Sequence, residues 1–192
     1  SLVKEGEPLS TVYIGGGTPS LLSPAQVANL LDLLKSRFGF QYGAEITLEI
    51  DPASFDKFSL EGFIEAGINR LSLGAQSFDD CVLKKLGRRH TVKDLSDACY
   101  LIGASFSKGK LLSWSLDLIQ NLPGQELISW KDQIERAVSF NPPHLSIYDL
   151  SIEKGTVFEK RQRRGELFLP NDEVSADISK MTSKMLKSAG FS

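Results

Sequence analysis

Apolar residues recur along the chain in two alternating rhythms, and the alternation predicts strands and helices in turn. A period of two runs over Glu45–Asp51, where Ile46, Leu48 and Ile50 share one face and Glu45, Thr47, Glu49 and Asp51 the other. The same rhythm places Leu71, Leu73 and Ala75 opposite Arg70, Ser72, Gly74 and Gln76, and Trp114, Leu116 and Leu118 opposite Ser113, Ser115 and Asp117. Thr11–Ile14 and His144–Leu150 read as two further strands, the last with His144, Ser146 and Tyr148 opposite Leu145 and Ile147. Helical periodicity covers residues 24–39, 59–67, 79–87, 91–104 and 126–140 between the strands, with a last helix near 172–189. Ser105–Gly109 reads as a loop extending the fourth crossover, and Arg161–Gly165 as a solvated basic loop.

Strands joined by helices pair in parallel through right-handed crossovers, which makes the fold α/β, either a barrel or an open doubly wound sheet. Parallel strands lying between two helix layers are apolar on both faces. These strands carry one apolar and one polar face, the pattern of a barrel with helices outside and a polar, ligand-holding interior. The polar positions gather at the strand exits. Gly15, Gly16 and Gly17 follow the first strand directly and let the backbone turn sharply against a ligand, or simply turn. Ser23-Pro24 then supplies an N-cap and an N1 proline for the first helix. Glu49, Gln76 and Asp117 are placed at or just beyond strand ends. Glu49 suits a ribose hydroxyl or an amine, or it is a satisfied interior acid. Gln76 is an amide reader or a helix cap, and Asp117, set among Leu116, Leu118 and Ile119, needs partners. Gly87 is a C-cap, Arg88 pairs with a carboxylate or complements a helix dipole, and His90 is read as structural. Leu122-Pro123-Gly124-Gln125 is a strand-to-helix turn.

Composition narrows the partners. The 192 residues fit one domain or a large part of one, and 41% hydrophobic with 24% charged residues is ordinary for a globular chain. A net charge of -2 gives no footprint for nucleic acid or an anionic membrane surface, and no apolar run reaches the length of a membrane span. Cys81 and Cys99 have neither a disulfide-framework nor a metal-knuckle spacing; in helical patterns both read as buried, reduced thiols of a reducing compartment. The chain opens at Ser1–Lys4 close to a strand and without methionine, and stops at Gly190–Ser192 where another strand is expected. It reads as an internal piece of a longer protein.

In order, Gly15-Gly16-Gly17-Thr18-Pro19, Leu48-Glu49-Ile50-Asp51-Pro52, Gly74-Ala75-Gln76-Ser77-Phe78, Leu86-Gly87-Arg88-Arg89-His90 and Leu116-Asp117-Leu118 with Leu122-Pro123-Gly124-Gln125 resemble the radical SAM family of oxygen-independent coproporphyrinogen III oxidases. The tail Leu145–Phe158 and Leu169-Pro170-Asn171-Asp172-Glu173 resemble its HemW branch, regarded as haem chaperones. The resemblance implies a partial (β/α)6 barrel truncated at both ends, with residues 1–150 as barrel core and 151–192 as the start of a C-terminal region. It implies S-adenosylmethionine (SAM) across the strand tops, Gly16, Gly17 and Thr18 at its methionine end and Glu49 at its polar groups. Gln76, Arg88 and Asp117 match residues that meet a second SAM in the oxidase. The implied partners are haem or porphyrinogen and a haem-acceptor protein, in the cytoplasm or, given a transit peptide upstream, in a mitochondrion or plastid. The family's CxxxCxxC motif, which holds a [4Fe–4S] cluster, is absent, and Cys81 and Cys99 cannot replace it. The expectation is that those cysteines precede Ser1 and that the chain as written is inactive. Ala104–Lys110 is also longer than the family usually has at that point. Two other readings stand beside the chaperone: the oxidase itself, and a barrel enzyme that holds a phosphorylated metabolite on its glycine loop.

Overall fold

In the computed structural model, which describes residues 7–191, five parallel strands form one sheet: β1 (Leu9–Ile14), β2 (Phe40–Ile50), β3 (Arg70–Gln76), β4 (Ser113–Gln120) and β5 (His144–Asp149). The chain start at Ser1–Lys4, expected to lie close to a strand, and the terminal Ser192 lie outside the described residues. The strands are ordered β1-β2-β3-β4-β5, so every crossover advances one place in the same direction. A doubly wound sheet reverses direction at a switch point. Without reversal, right-handed crossovers keep their helices on one side of the sheet, and the result is half of a parallel barrel.

The crossovers carry α1 (Pro24–Phe38), α2 (Lys57–Glu65), the paired α3 (Asp80–Lys85) and α4 (Val92–Ser107), and α5 (Leu127–Ser139); α6 (Val157–Arg163) and α7 (Asp172–Ser188) follow β5. Their starts are written in the sequence. Ser23 and Thr91 form capping boxes with Gln26 and Asp94, while Asp56, Asp79, Thr156 and Asn171 each accept a first-turn N–H. The apolar strand face buries Leu48, Leu71, Leu73, Trp114, Leu116 and Leu118 against Val27, Leu60, Phe63, Leu95, Ile102, Trp130 and Ile134 from the helices. Each such large side chain contributes about 1.5–3 kcal/mol by leaving water. Helix α7 lies on α5, held by Trp130 Nε1 donating to Thr182 Oγ1 at 2.7 Å, with Thr182 Oγ1 3.2 Å from Gln120 Oε1 at the end of β4.

Four sequence expectations are corrected. Ser105–Gly109 is not a loop: α4 continues to Ser107, because Phe106 extends the buried stripe of Leu95, Ala98, Cys99 and Ile102 by another turn. The turn comes only at Gly109, with φ +69°. Arg161 and Arg163 belong to α6, which Thr156 caps and an Arg163–Glu159 ion pair bridges; only Arg164 and Gly165 remain in a turn. Asp117 is not at a strand end but the fifth of eight residues of β4. Cys81 is exposed on α3, so only Cys99 is a buried thiol, and burial pushes it up to about 12.

Candidate functional site

Small polar side chains floor the inner face of the sheet. Glu49, Ser72 and Ser115 stand in one row across β2, β3 and β4, since Glu49 pairs with Ser72 and Ser72 with Ser115. Thr47 and Ser115 are almost completely buried there, so short hydroxyls close the base of the half-barrel and leave room above. Ser115 Oγ lies 3.0 Å from Ser72 Oγ, which donates to Asp117 Oδ2 at 2.6 Å. Each hydroxyl has one proton, so the shortest contacts read as a relay ending on the carboxylate, which remains an acceptor toward the open side.

Above this floor lies a cavity of about 260 Å³, lined by Gly17, Thr18, Glu49, Gln76, Arg88 and Asp117 together with Tyr13, Asp51, Ser72 and Tyr148. Six of the seven nominated residues therefore meet in one place. Gly16 does not line the cavity, but its N–H donates to Glu49 Oε2 at 3.0 Å while Tyr13 Oη donates to Glu49 Oε1 at 2.8 Å. The carboxylate is thus tied to both the glycine run and the strand that delivers it. Partial burial, followed by its bond to Glu49, pushes the Tyr13 phenol up to about 12, which keeps it a donor. Gly15 is required by this pair: a Cβ there would stand 2.7 Å from Tyr13 Cε1 and 2.9 Å from Glu49 Oε1. Gly16 and Gly17 sit at φ +86° and +50° facing open space.

Gln76 is held at φ +63°, with the Ser77 N–H bonded back to Ala75 O at 2.7 Å, a tight turn that folds its side chain over the strand. Gly74 makes room for it, since a Cβ would lie 3.0 Å from Gln76 Nε2. Asp51, just past β2, accepts Ala53 N–H at Oδ1 and turns Oδ2 toward His90 Nδ1 at 3.5 Å. Contact with His90 holds its carboxyl below the usual range, against the opposing effect of burial. Three carboxylates (Glu49, Asp51, Asp117) face one guanidinium (Arg88) around the cavity. Such a balance suits a cationic ligand that also carries a carboxylate for Arg88.

Tyr13, Ser72 and Tyr148 were not nominated from the sequence. Ser72 and Tyr148 stood on polar strand faces, and the parallel register that brings Ser72 beside Glu49 would have found the serine. A larger cavity, about 570 Å³, opens beside Pro142, His144 and Leu186 at the start of β5. That is the opposite end of the strands from the one where parallel α/β sheets bind ligands.

The radical SAM superfamily profile matches residues 2–131, and the chain belongs to that superfamily. Within it, the "Heme chaperone HemW" of Synechocystis is 42% identical over 97% of this chain and 44% of its own length, and that of Escherichia coli 37% identical over 97% and 47%. A mouse "Radical S-adenosyl methionine domain-containing protein 1, mitochondrial" is 35% identical over 95% of this chain and 40% of its own length. The chain spans about half the length of the curated relatives it matches. Among solved structures, the E. coli coproporphyrinogen III oxidase HemN, a radical SAM enzyme, superposes with TM-score 0.80 at 29% identity, covering 94% of this chain and 41% of that one. Archaeal Elp3 shares the fold at TM-score 0.69 and 20% identity, over 88% of this chain and 43% of that one.

The superfamily implies SAM and a [4Fe–4S] cluster. The donor set fits the first, as three carboxylates and a guanidinium face a ligand with two cationic centres and a carboxylate. It does not fit the second. Neither Cys81 nor Cys99 lines the cavity, and the described residues contain no cluster of three or more His, Cys, Asp or Glu arranged for a metal ion.

Proposed function

We propose that this chain is the SAM-holding part of a HemW-like haem chaperone. The convergence of the glycine run, Glu49, Gln76, Arg88 and Asp117 on one acid-rich cavity carries the reading. SAM brings a sulfonium, an ammonium and a carboxylate, and its chemistry is that of an activated S–C bond. In this reading the Gly15–Thr18 turn receives the methionine end, its positive-φ glycines allowing backbone approach without a Cβ in the way. Glu49, oriented by Tyr13 and Gly16, takes a cationic or hydroxyl donor, and Asp117 on its serine relay takes another. Arg88 and Gln76 on the rim read the carboxylate and remaining polar groups. No step of SAM cleavage is assigned to this chain, because its cysteines do not fit the cluster.

Residues 1–150 then form the barrel core and 151–192 open the C-terminal region, with haem or porphyrinogen and a haem-acceptor protein as partners of the whole protein. Among the described residues no helix is long and apolar enough to cross a membrane. The whole protein is proposed for the cytoplasm, or for an organelle where it carries a transit peptide, as the mouse relative's name suggests. The oxidase is the second reading, favoured by the HemN superposition. A phosphorylated ligand is disfavoured by the three carboxylates around the cavity. Haem binding and transfer by the full-length protein, without SAM-dependent decarboxylation of coproporphyrinogen III, is the expected result; decarboxylation would assign the oxidase instead.

A further inference from the structure

We infer that His90 is a doubly protonated positioning residue that clamps the SAM cavity's rim from below, an assignment whose functional consequence rests on the reading above. Its imidazole is fully enclosed and does not line the cavity. Nε2 stands 3.2 Å from Ala75 O. A carbonyl oxygen only accepts, so Nε2 bears a proton. Nδ1 lies 3.5 Å from Asp51 Oδ2, within ion-pair reach but outside hydrogen-bond geometry, and nothing else engages it. Were Nδ1 bare, it would be a buried acceptor 3.5 Å from a carboxylate oxygen with no donor to satisfy it. A proton on Nδ1 turns the same contact into a charge-assisted pair.

The consequence is geometric. The carbonyl that His90 engages also closes the tight turn centred on Gln76, whose positive φ a side-chain-bearing residue does not adopt without support. Asp51 directly follows the neighbouring strand, and Arg88 precedes His90 by two residues, after Gly87 at φ +72°. One buried ring therefore ties the ends of β2 and β3 together and fixes the loop that carries the rim guanidinium. Three cavity residues, Asp51, Gln76 and Arg88, are located through it. The other charged groups near the ring are Asp94, in the first turn of α4, and Arg88 itself, which acts on Asp51.

The test is a long-range ¹H–¹⁵N spectrum of the chain labelled with ¹⁵N-histidine near pH 7. Both His90 nitrogens are expected at protonated positions, and Asp51→Asn, which keeps the shape and removes the charge, returns Nδ1 to the bare position. A bare Nδ1 in the unsubstituted chain overturns the assignment, as does a signature indifferent to Asp51→Asn. His90→Gln is expected to shift the Gln76 side-chain amide resonances and to weaken SAM binding by about tenfold or more at unchanged helix content; unchanged amides and affinity overturn the positioning role. Should His90→Gln not fold, the Nδ1 signature and its response to Asp51→Asn still decide the assignment. If the unsubstituted chain binds no SAM while the two-proton signature is present, the SAM reading fails and the clamp stands.

Discussion

Gly15→Ala isolates one methyl group at the point where the account is most specific. The residue does not occupy the left-handed region, so alanine meets no backbone penalty there. The new Cβ would nevertheless stand 2.7 Å from Tyr13 Cε1, 2.9 Å from Glu49 Oε1 and 3.0 Å from Glu49 Cδ. Both neighbours are the far ends of side chains, so they yield rather than the backbone, and the carboxylate leaves the position fixed by Tyr13 Oη and Gly16 N–H. Fold stability should change little. A ligand that relied on the carboxylate loses one charge-assisted bond, about 1.5–3 kcal/mol, or about 10- to 150-fold in Kd. Isothermal titration of SAM into the substituted and unsubstituted chains, with thermal melts alongside, measures both. Gly103→Ala is the control, since it places a Cβ in open space on α4, away from the cavity and from Glu49. Equal SAM affinity for Gly15→Ala and the unsubstituted chain would refute the reasoning.

Thr182→Val leaves the Trp130 indole N–H buried without its 2.7 Å acceptor and should cost about 1–3 kcal/mol in urea unfolding; an unchanged midpoint would show that α7 is not anchored there. Iodoacetamide at pH 8 should label exposed Cys81 and spare Cys99, whose buried thiol is raised to about 12, giving one adduct by mass spectrometry in the native state and two after denaturation. Asp51 is depressed in the folded state, so its stabilisation is complete above the ordinary carboxylate value of about 3.9 and disappears as pH falls through its lower folded value. Asp51→Asn should therefore flatten part of the acid limb of stability below about pH 4, with Asp94 still contributing to what remains.

The strands and the class of fold were legible because the sheet is wet on one face and dry on the other. Ile46, Leu48 and Ile50 against Thr47 and Glu49 announce both a strand and its orientation. The polar inner face already favoured a barrel over a doubly wound sheet, and the unbroken strand order bears that out. The end of α4 was misread because Ser105, Ser107 and Gly109 look like turn residues locally, while Phe106 reaches the core. Asp117 looked terminal for want of the pairing with β5, which carries β4 three residues beyond it to Gln120. Tyr13 was silent for a different reason: its role depends on a hydrogen bond to Glu49, 36 positions away. His90 was correctly read as structural in its burial, and only the placement of Ala75 and Asp51 on its two nitrogens shows what that burial holds in place.

The central claim is that SAM occupies the cavity above the Ser72–Asp117 relay. Titrating SAM into the ¹⁵N-labelled chain tests it most directly. The account predicts saturable shifts at the backbone amides of Gly16, Gly17, Glu49, Gln76 and Asp117. Absence of saturation, or shifts confined to Asn141–Leu145 and the end of α7 around the larger cavity, would contradict it.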